Sequence, residues 1–510
     1  MENNADMYVP AFYAGRSIFI TGATGFLGKV LIEKLLRSCP DVAEIFVLIR
    51  EKKGLSARER LKKMLDNKLF DVLRNEQSSS LNKVIPITGN VAAENLGLLP
   101  AEEQMLIERV SVIFHVAASV RFDESLKDAI FNNTRSTRDV CILAQRMKKI
   151  VVLLHISSTY TQTDKPIVEE TLYPWVLDWR KVIKVAESVD EHILRIFTAK
   201  YLGTMPNTYT FSKRLAEQVI SDYSDTLPCV IIRPSIVIAT IDEPVKGWVD
   251  NFNGPVGLFI GGGKGILRVV LSDPCASCDF MPVDVAIKAT LVAAWKRGIK
   301  TIAEDKTIDV YNCASNDIKK VDLRNIVQMA FEIAEKIPLE GIIWKPQTMI
   351  TNNRFNYFCW VLLLHILPAL FLDGILKLCG SRPMLLRLQR KVFVTNNALS
   401  YFLLNEWTFN NDKLKLLFDD LSADNSRDFG YNYRCIDIYD YFKNGLIGGK
   451  IYLLNESMDL EAARAHRKRM NWLDTIIKTL FFMVILWMLY YKNIFSYVTE
   501  ILHYLSANIR

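Results

Sequence analysis

The sequence predicts an α/β chain. It should have a doubly wound parallel sheet, a smaller substrate-side subdomain, a helical C-terminal domain and a C-terminal membrane anchor. Three observations predict this. Residues 16–50 run strand, glycine turn, helix, strand. Strand-like and helical runs then alternate as far as Arg233, as parallel sheets require. Near the end, Trp472–Tyr491 is long and apolar.

Arg16–Thr21 is a short β run entering the turn Thr21-Gly22-Ala23-Thr24-Gly25-Phe26-Leu27-Gly28. Lys29–Ser38 has helical spacing, with Val30, Leu31, Leu35 and Leu36 apolar, and Glu44–Arg50 is again a strand. This is the opening unit of a Rossmann-type sheet. Further strands are expected at Lys83–Ile87, Val110–Val116, Ile150–Ser157 and Cys229–Arg233, with Ala101–Glu108 and Asp123–Met147 the clearest helices between them. Ser158–Tyr209 is a long interval holding a helical stretch, Lys181–Leu194, and residues 163–205 read as a substrate-side segment. A second such segment, 242–300, opens irregular and glycine-rich through Asp250–Pro255 and Gly261–Gly265. That composition suits a loop over a ligand or a connector. Asn316–Trp344 reads as a helix and loop closing the body, and Phe355–Phe442 as a separate helical, aromatic, basic unit. The expected divisions are an arm at 1–14, a body at 15–345, a helical domain at 355–445 and an anchor at 472–491.

Composition bounds the function. The 510 residues are half apolar, enough for two or three domains with large cores. A net charge of +7 spread over this length gives no nucleic-acid footprint. The nine cysteines are scattered, and the one C-x-x-C, Cys275–Cys278, lacks a second pair to complete a zinc shell. They read as reduced packing residues, and no metal site is expected. Met1–Tyr13 carries no apolar signal region, so the catalytic part should face the cytosol. Oligomeric state leaves no mark in the sequence.

Two stretches meet the membrane test. In Phe355–Leu372, His365 and Pro368 interrupt the apolar run and Asp373 ends it, which favours a buried or interfacial helix over a span. Trp472–Tyr491 is near the ~20 residues a bilayer demands, with Lys478 able to snorkel. The cations Arg464, Arg467, Lys468 and Arg469 precede it and place that side in the cytosol. A tail anchor is expected there, with Ile494–Ile509 lying along the far surface; a docked amphipathic helix is the alternative.

The chemistry begins at the glycines. Gly22 permits the tight turn, Gly25 lets backbone approach a pyrophosphate, and Gly28 lets the helix pack on the strand, so the helix N-terminus meets phosphate. At the end of the second strand stands Arg50, with Lys52 and Lys53 nearby, where an NAD enzyme would carry an acid. A guanidinium there favours a 2′-phosphate and so NADPH. Downstream, Tyr209 and Lys213 lie four apart on one helix face. An ammonium beside the phenol should lower its pKa from about 10 and make it a usable proton donor. At the end of the His155-Ile156-Ser157-Ser158 strand a serine hydroxyl should orient a carbonyl oxygen: Ser158 is the choice, and Ser157, still in the strand, the alternative. His155 reads as a core histidine.

These residues resemble the extended short-chain dehydrogenases, and more closely the alcohol-forming fatty acyl-CoA reductases with their male-sterility-type C-terminal domain. The resemblance runs through Thr21–Gly28, Leu35–Pro40, Phe114–Ala118 with Val120–Phe122, Pro206–Tyr209, Arg233–Val237, Gly247-Trp248, Asp250–Pro255 and Gly263–Arg268, over most of residues 10–460. It implies reduction of long-chain acyl-CoA to a primary alcohol with two NADPH, through an aldehyde, with release of CoA. It implies Asn133 in a proton relay, His115–Ala118, Ala117 included, along the cofactor, and Pro234 and Val237 beside the nicotinamide amide. The expected setting is an endoplasmic reticulum, peroxisome or lipid-droplet membrane. The chain departs from the family's usual Ser-Thr at Ser157-Ser158, which keeps the hydroxyl, and has Asn90 where many relatives carry an acid for adenine. A membrane-bound dehydrogenase acting on a sterol or other lipid carbonyl would share Tyr209, Lys213 and the anchor, but not the Asp250–Pro255 and Gly263–Arg268 segments. A non-catalytic NADP-binding scaffold would not need the Ser158/Tyr209/Lys213 set.

Overall fold

Seven apolar strands form one parallel sheet, in a computed structural model that describes residues 8–300, 307–315, 320–431 and 436–491. They are β1 Ser17–Thr21, β2 Glu44–Ile49, β3 Val84–Thr88, β4 Val110–His115, β5 Val152–Ile156, β6 Cys229–Pro234 and β7 Asp309–Cys313. The spatial order is β7-β6-β5-β4-β1-β2-β3. The order reverses between β1 and β4, and in such sheets ligands bind beyond the carboxyl ends of the strands at that reversal. The first three and next three strands match the sequence expectation within one or two residues. Alternation along β1 explains the two helical layers: Ile18 and Ile20 face one apolar cluster, Phe19 the other. Helix α1, Phe26–Ser38, and the helix Val283–Gly298 cover the first face. Helix α2, Thr208–Tyr223, and the helix Ser136–Arg146 cover the second. Each fully buried Ile, Leu or Phe contributes about 1.5–3 kcal/mol of hydrophobic stabilisation, so a sheet buried on both faces is the rigid frame for the site.

Some elements differ from expectation. Within the arm, Val9–Tyr13 is a helix, and the Tyr13 hydroxyl donates to Leu291 O at 2.8 Å. The glycine-rich stretch is no loop, because Gly254–Gly263 is a helix. Its glycines let neighbours close in; a Cβ on Gly262 would stand 2.9 Å from Thr348 Oγ1. Val256, Phe259 and Ile260 bury against Tyr441 and Phe442, and this packing overrides the poor helix propensity of glycine. The expected Lys181–Leu194 helix is two, Trp179–Ser188 and Glu191–Leu202, each capped by an aspartate, Asp178 and Asp190. The eight described cysteines are free, and no metal-binding cluster occurs among the described residues.

The helical C-terminal region packs onto the body at several points. Thr408–Phe409 pairs in parallel with Ile167–Val168, and the Tyr441 hydroxyl donates to Ala239 O at 2.8 Å. Gly247, at φ +75°, lies so close to Asn444 that a Cβ would stand 2.2 Å from its carbonyl oxygen. Among the described residues, two helices are long and apolar enough to cross a membrane: α3, Arg354–Leu378, and α5, Glu461–Tyr491. Between them α4, Leu385–Leu404, returns from α3. A π-turn at Leu362–Ile366 precedes Pro368, whose missing N–H breaks the regular ladder. Residues Ile494–Ile509 lie outside the described part of the chain.

Candidate active site

The glycine turn is built by close approach. Gly22 sits at φ +75°, and a Cβ there would stand 2.6 Å from Ala117 N at the end of β4. A Cβ on Gly28 would stand 2.4 Å from Gly22 O, so α1 lies directly on the turn. Gly25 differs: within 4 Å its Cβ would meet only Gly22 O, at 3.1 Å. It is also the N-cap of α1, and no side chain caps the helix there. With little protein packed over position 25, the free N–H groups of this uncapped helix start leave room for a phosphate. The cradle therefore fits a dinucleotide. Thr24 and Leu27 belong to the same turn, and Phe26 opens the helix, stacked on Trp248 with ring centroids 5.4 Å apart. Thr21 Oγ1 lies 2.7 Å from His115 Nδ1 and accepts from Ala117 N at 3.2 Å, which ties β1 to the end of β4.

Arg50 is exposed just beyond β2, as its place in the sequence implied. Sequence reading missed its neighbour. Arg60, on the helix Ala57–Leu65, donates to the Arg50 carbonyl oxygen, and its pKa is lowered by burial and then by the charge of Arg50. Arg50 and Arg60 thus put two guanidiniums at the end of β2. Asn90 is occupied locally, its Oδ1 accepting from Ala92 N at 3.2 Å.

Tyr209, Lys213 and Ser158 come together at the ends of α2 and β5. Asn207 caps α2, accepting from Thr210 N at 2.9 Å, and fixes where the helix presents Tyr209. The phenol stands beside Ser158. Burial raises its pKa above the ordinary value, and Ser158 pulls it back. This differs from the depression expected of Lys213: desolvation dominates, and Ser158 is the opposing cause. Lys213 Nζ donates to Ile156 O at 2.5 Å, and burial brings its pKa down to about 7 while Glu217 opposes the fall. Ser157 turns away, its Oγ donating to Glu217 Oε1 at 2.6 Å. Asn133 sits in a π-turn, Ile130–Arg135. Its Nδ2 donates to Ser212 Oγ at 2.8 Å and Ser119 O at 3.2 Å, and its Oδ1 accepts from Ser119 N at 2.8 Å. The carboxamide thus clamps the loop after β4 to α2. Pro234 ends β6, and Val237 follows in Ile236–Ile238.

Two further features escaped sequence reading. The buried pair Arg233–Glu217 lies one turn beyond Lys213: Nε to Oε1 is 2.8 Å and the second nitrogen to Oε2 2.7 Å. Arg233 also holds the carbonyls of Glu169 and Thr171, joining the inserted segment to the sheet. An arginine in the otherwise apolar Cys229–Arg233 run was the available signal. The second feature is an aromatic wall. The Phe122 ring lies 5.7 Å from Tyr209 and 5.2 Å from Phe402, which α4 supplies from the helical region.

The chain is similar to known proteins in sequence and in fold. Two family profiles, both described as Male sterility protein, match an NAD-binding part over residues 20–290 and a Sterile part over residues 364–456. Fatty acyl-CoA reductase 1 of Xenopus laevis is 39% identical over 464 residues, covering 91% of this chain and 90% of its own. The human protein of that name is 37% identical over the same shares. Fatty acyl-CoA reductase 2 of Mus musculus is 34% identical, covering 94% and 92%. Among solved structures, the reductase domain of a nonribosomal peptide synthetase from Mycobacterium tuberculosis superposes with a TM-score of 0.58 at 17% identity, over 89% of this chain and 96% of that one. The terminal R domain of the myxalamid PKS-NRPS pathway gives 0.55 at 17% identity, over 87% and 93%. The structural likeness speaks to the fold; the sequence relatives and the profiles decide the family, and the chain belongs to the fatty acyl-CoA reductases.

Proposed function

We propose that this chain reduces the acyl group of a long-chain acyl-CoA to a primary alcohol with two NADPH, through an aldehyde, and releases CoA. The observation that carries the reading is the meeting of Tyr209 and Ser158, with Lys213 one helical turn on and donating to Ile156 O, at the strand ends beside the glycine turn. When bound, NADPH supplies hydride, once to the thioester carbon and once to the aldehyde carbon. Ser158 and Tyr209 hold the carbonyl oxygen, a small oxyanion site. In the first stage the C–S bond breaks and CoA leaves as thiolate. In the second, Tyr209 gives its proton to the oxygen that becomes the alcohol. Lys213, charged at and below about pH 7, favours the resulting phenolate. Asn133 serves the site by holding the loop after β4 and α2 in register. Gly22, Thr24, Gly25, Phe26, Leu27 and Gly28 would bind the pyrophosphate, Thr21 and Ala117 the adjoining strand ends, and Pro234 and Val237 the nicotinamide side. Purified full-length chain given palmitoyl-CoA and NADPH should make hexadecanol and consume two NADPH per alcohol. Consumption only with a sterol ketone, or none at all, would overturn the proposal.

NADPH is preferred over NADH because Arg50 and Arg60 meet the 2′-phosphate. Hydrogen bonds to charged groups contribute about 1.5–3 kcal/mol. Arg50→Ala should therefore raise the KM for NADPH by roughly 10- to 150-fold, with little change for NADH. Equal shifts for the two cofactors in steady-state kinetics would remove Arg50 from that role.

The same proposal places the chain on an intracellular membrane of the endoplasmic reticulum, peroxisome or lipid droplet, with α5 as the anchor. From Ile477 to Tyr491 the exposed apolar residues go all round α5, as a membrane span requires. Arg464, Arg467, Lys468 and Arg469 precede them, so the catalytic body faces the cytosol.

A further inference from the structure

We propose that the α3–α4 hairpin lies in the surface of an anionic bilayer as a second membrane contact, without crossing it. The proposal deepens the membrane reading above and rests on it.

α3 has two unlike faces. Tyr357, Val361, His365 and Ala369, spaced by four, are buried against the body, and His365 Nε2 accepts from Arg268 N at 3.2 Å. The opposite face shows Phe355, Phe358, Leu362, Leu370, Phe371 and Leu378, each between 49% and 89% exposed. A contiguous apolar face of this size on a folded chain marks a partner surface. One committed face and one bare face describe a helix lying along an interface.

Topology excludes a crossing. The strand Met349–Thr351, which feeds α3, pairs with Val269–Leu271 of the body. At the other end of the hairpin, Leu403 O accepts from Asp273 N at 3.0 Å and from Ser272 Oγ at 2.8 Å. Both ends are thus fixed to the same body. α4 would have to span back, and with Arg387, Arg390, Lys391, Asn396 and Asn397 it is too polar.

Charge and position identify the bilayer as the occupant. From residue 354 to 404 the chain carries six cations, Arg354, Lys377, Arg382, Arg387, Arg390 and Lys391, all exposed. Its one acid there, Asp373, accepts from the N–H groups of Met384, Leu385 and Leu386 at 3.0, 2.9 and 2.9 Å, which absorbs its charge. An apolar face rimmed by basic residues complements anionic lipid, at about 1 kcal/mol per cation near the surface. The anchor also leaves the body beside α3. Trp344 Nε1 donates to Asp474 Oδ1 at 2.7 Å and Lys478 Nζ to Gln347 Oε1 at 3.5 Å, a few residues before α3 begins. One membrane can meet both helices. α4 then runs from Leu386 at the proposed surface to Phe402 in the aromatic wall, about 24 Å at 1.5 Å per residue. Seating the hairpin would fix the reactive centre at a set height above the lipid.

The test uses the full-length chain in phosphatidylcholine vesicles with and without phosphatidylserine. An environment-sensitive dye is placed at Phe371→Cys, with Cys275→Ser and Cys379→Ser to remove the exposed native thiols. Quenching is compared between lipids carrying a nitroxide near the headgroup and lipids carrying it at the bilayer centre. The expected result is several-fold stronger quenching by the shallow label, enhanced by phosphatidylserine, with the enhancement lost in Arg387→Gln/Arg390→Gln. A dye at Trp487→Cys reports the anchor by deep quenching. A dark Trp487 signal with Phe371 unquenched overturns the hairpin proposal and leaves the anchor standing. Quenching of neither overturns both readings, and deep quenching of Phe371 makes α3 a span.

Discussion

Tyr209→Phe should lower kcat for alcohol formation by about 10²- to 10⁴-fold, the usual contribution of a positioned proton donor, while NADPH binds with unchanged Kd. The substitution removes one oxygen and keeps the ring against Phe122, at 5.7 Å, so the wall and α2 should stay in place. The variant keeps Ser158 but has no phenol to give the proton. Binding and turnover should therefore separate. Fluorescence titration with NADPH and a single-turnover assay check this. An active Phe variant would take tyrosine out of the proton-donor role.

Glu217→Ala should destabilise the fold by about 3–5 kcal/mol, the cost of stripping one partner from a buried ion pair. The Arg233 and Glu217 side chains are 0% and 1% exposed, and the carboxylate also receives Ser157 and Thr161. Denaturant unfolding of the detergent-solubilised chain measures the loss. Replacing both partners, Glu217→Met with Arg233→Met, should recover much of it, since the orphaned charge is then gone; a double variant no better than the single one would contradict this. The carboxylate has a second effect. It is the group that holds up the pKa of Lys213, otherwise brought down to about 7 by burial. In any folded Glu217→Ala protein that pKa should fall further, and the rising-pH loss of turnover should move to lower pH. The sign for stability follows from linkage. The folded pKa of Lys213 lies below the ordinary 10.5, so the unfolded chain binds more protons between about 7 and 10.5. The stability contribution is therefore complete above 10.5 and is lost as pH falls toward 7.

Much of the fold could be read because its signals are local. Gly22, Gly25 and Gly28 follow a strand and open a helix, and each of those elements is set by residues adjacent in sequence. Tyr209 and Lys213 needed only helical spacing. Strand position favoured Ser158 over Ser157 without deciding between them, and the structure turns Ser157 toward Glu217. What was missed depends on distance in the chain. Arg233 and Glu217 are sixteen residues apart on different elements. Phe402 reaches Phe122 from 280 residues away, and spacing cannot announce such a contact. The helix Gly254–Gly263 was misread because glycine counts against helix, while burial against Tyr441 and Phe442 decides the matter. The Tyr209 pKa was misjudged for a related reason. The sequence places a cation one turn away but says nothing of desolvation, which wins here.

The most direct test of the proposed reaction uses full-length chain, palmitoyl-CoA and NADPH carrying deuterium at both C4 positions. If both reductions occur at the Tyr209 site with hydride from this cofactor, the hexadecanol should carry two deuterium atoms at C1 by mass spectrometry. Alcohol carrying one deuterium or none, or an aldehyde that accumulates without further reduction, would contradict the account.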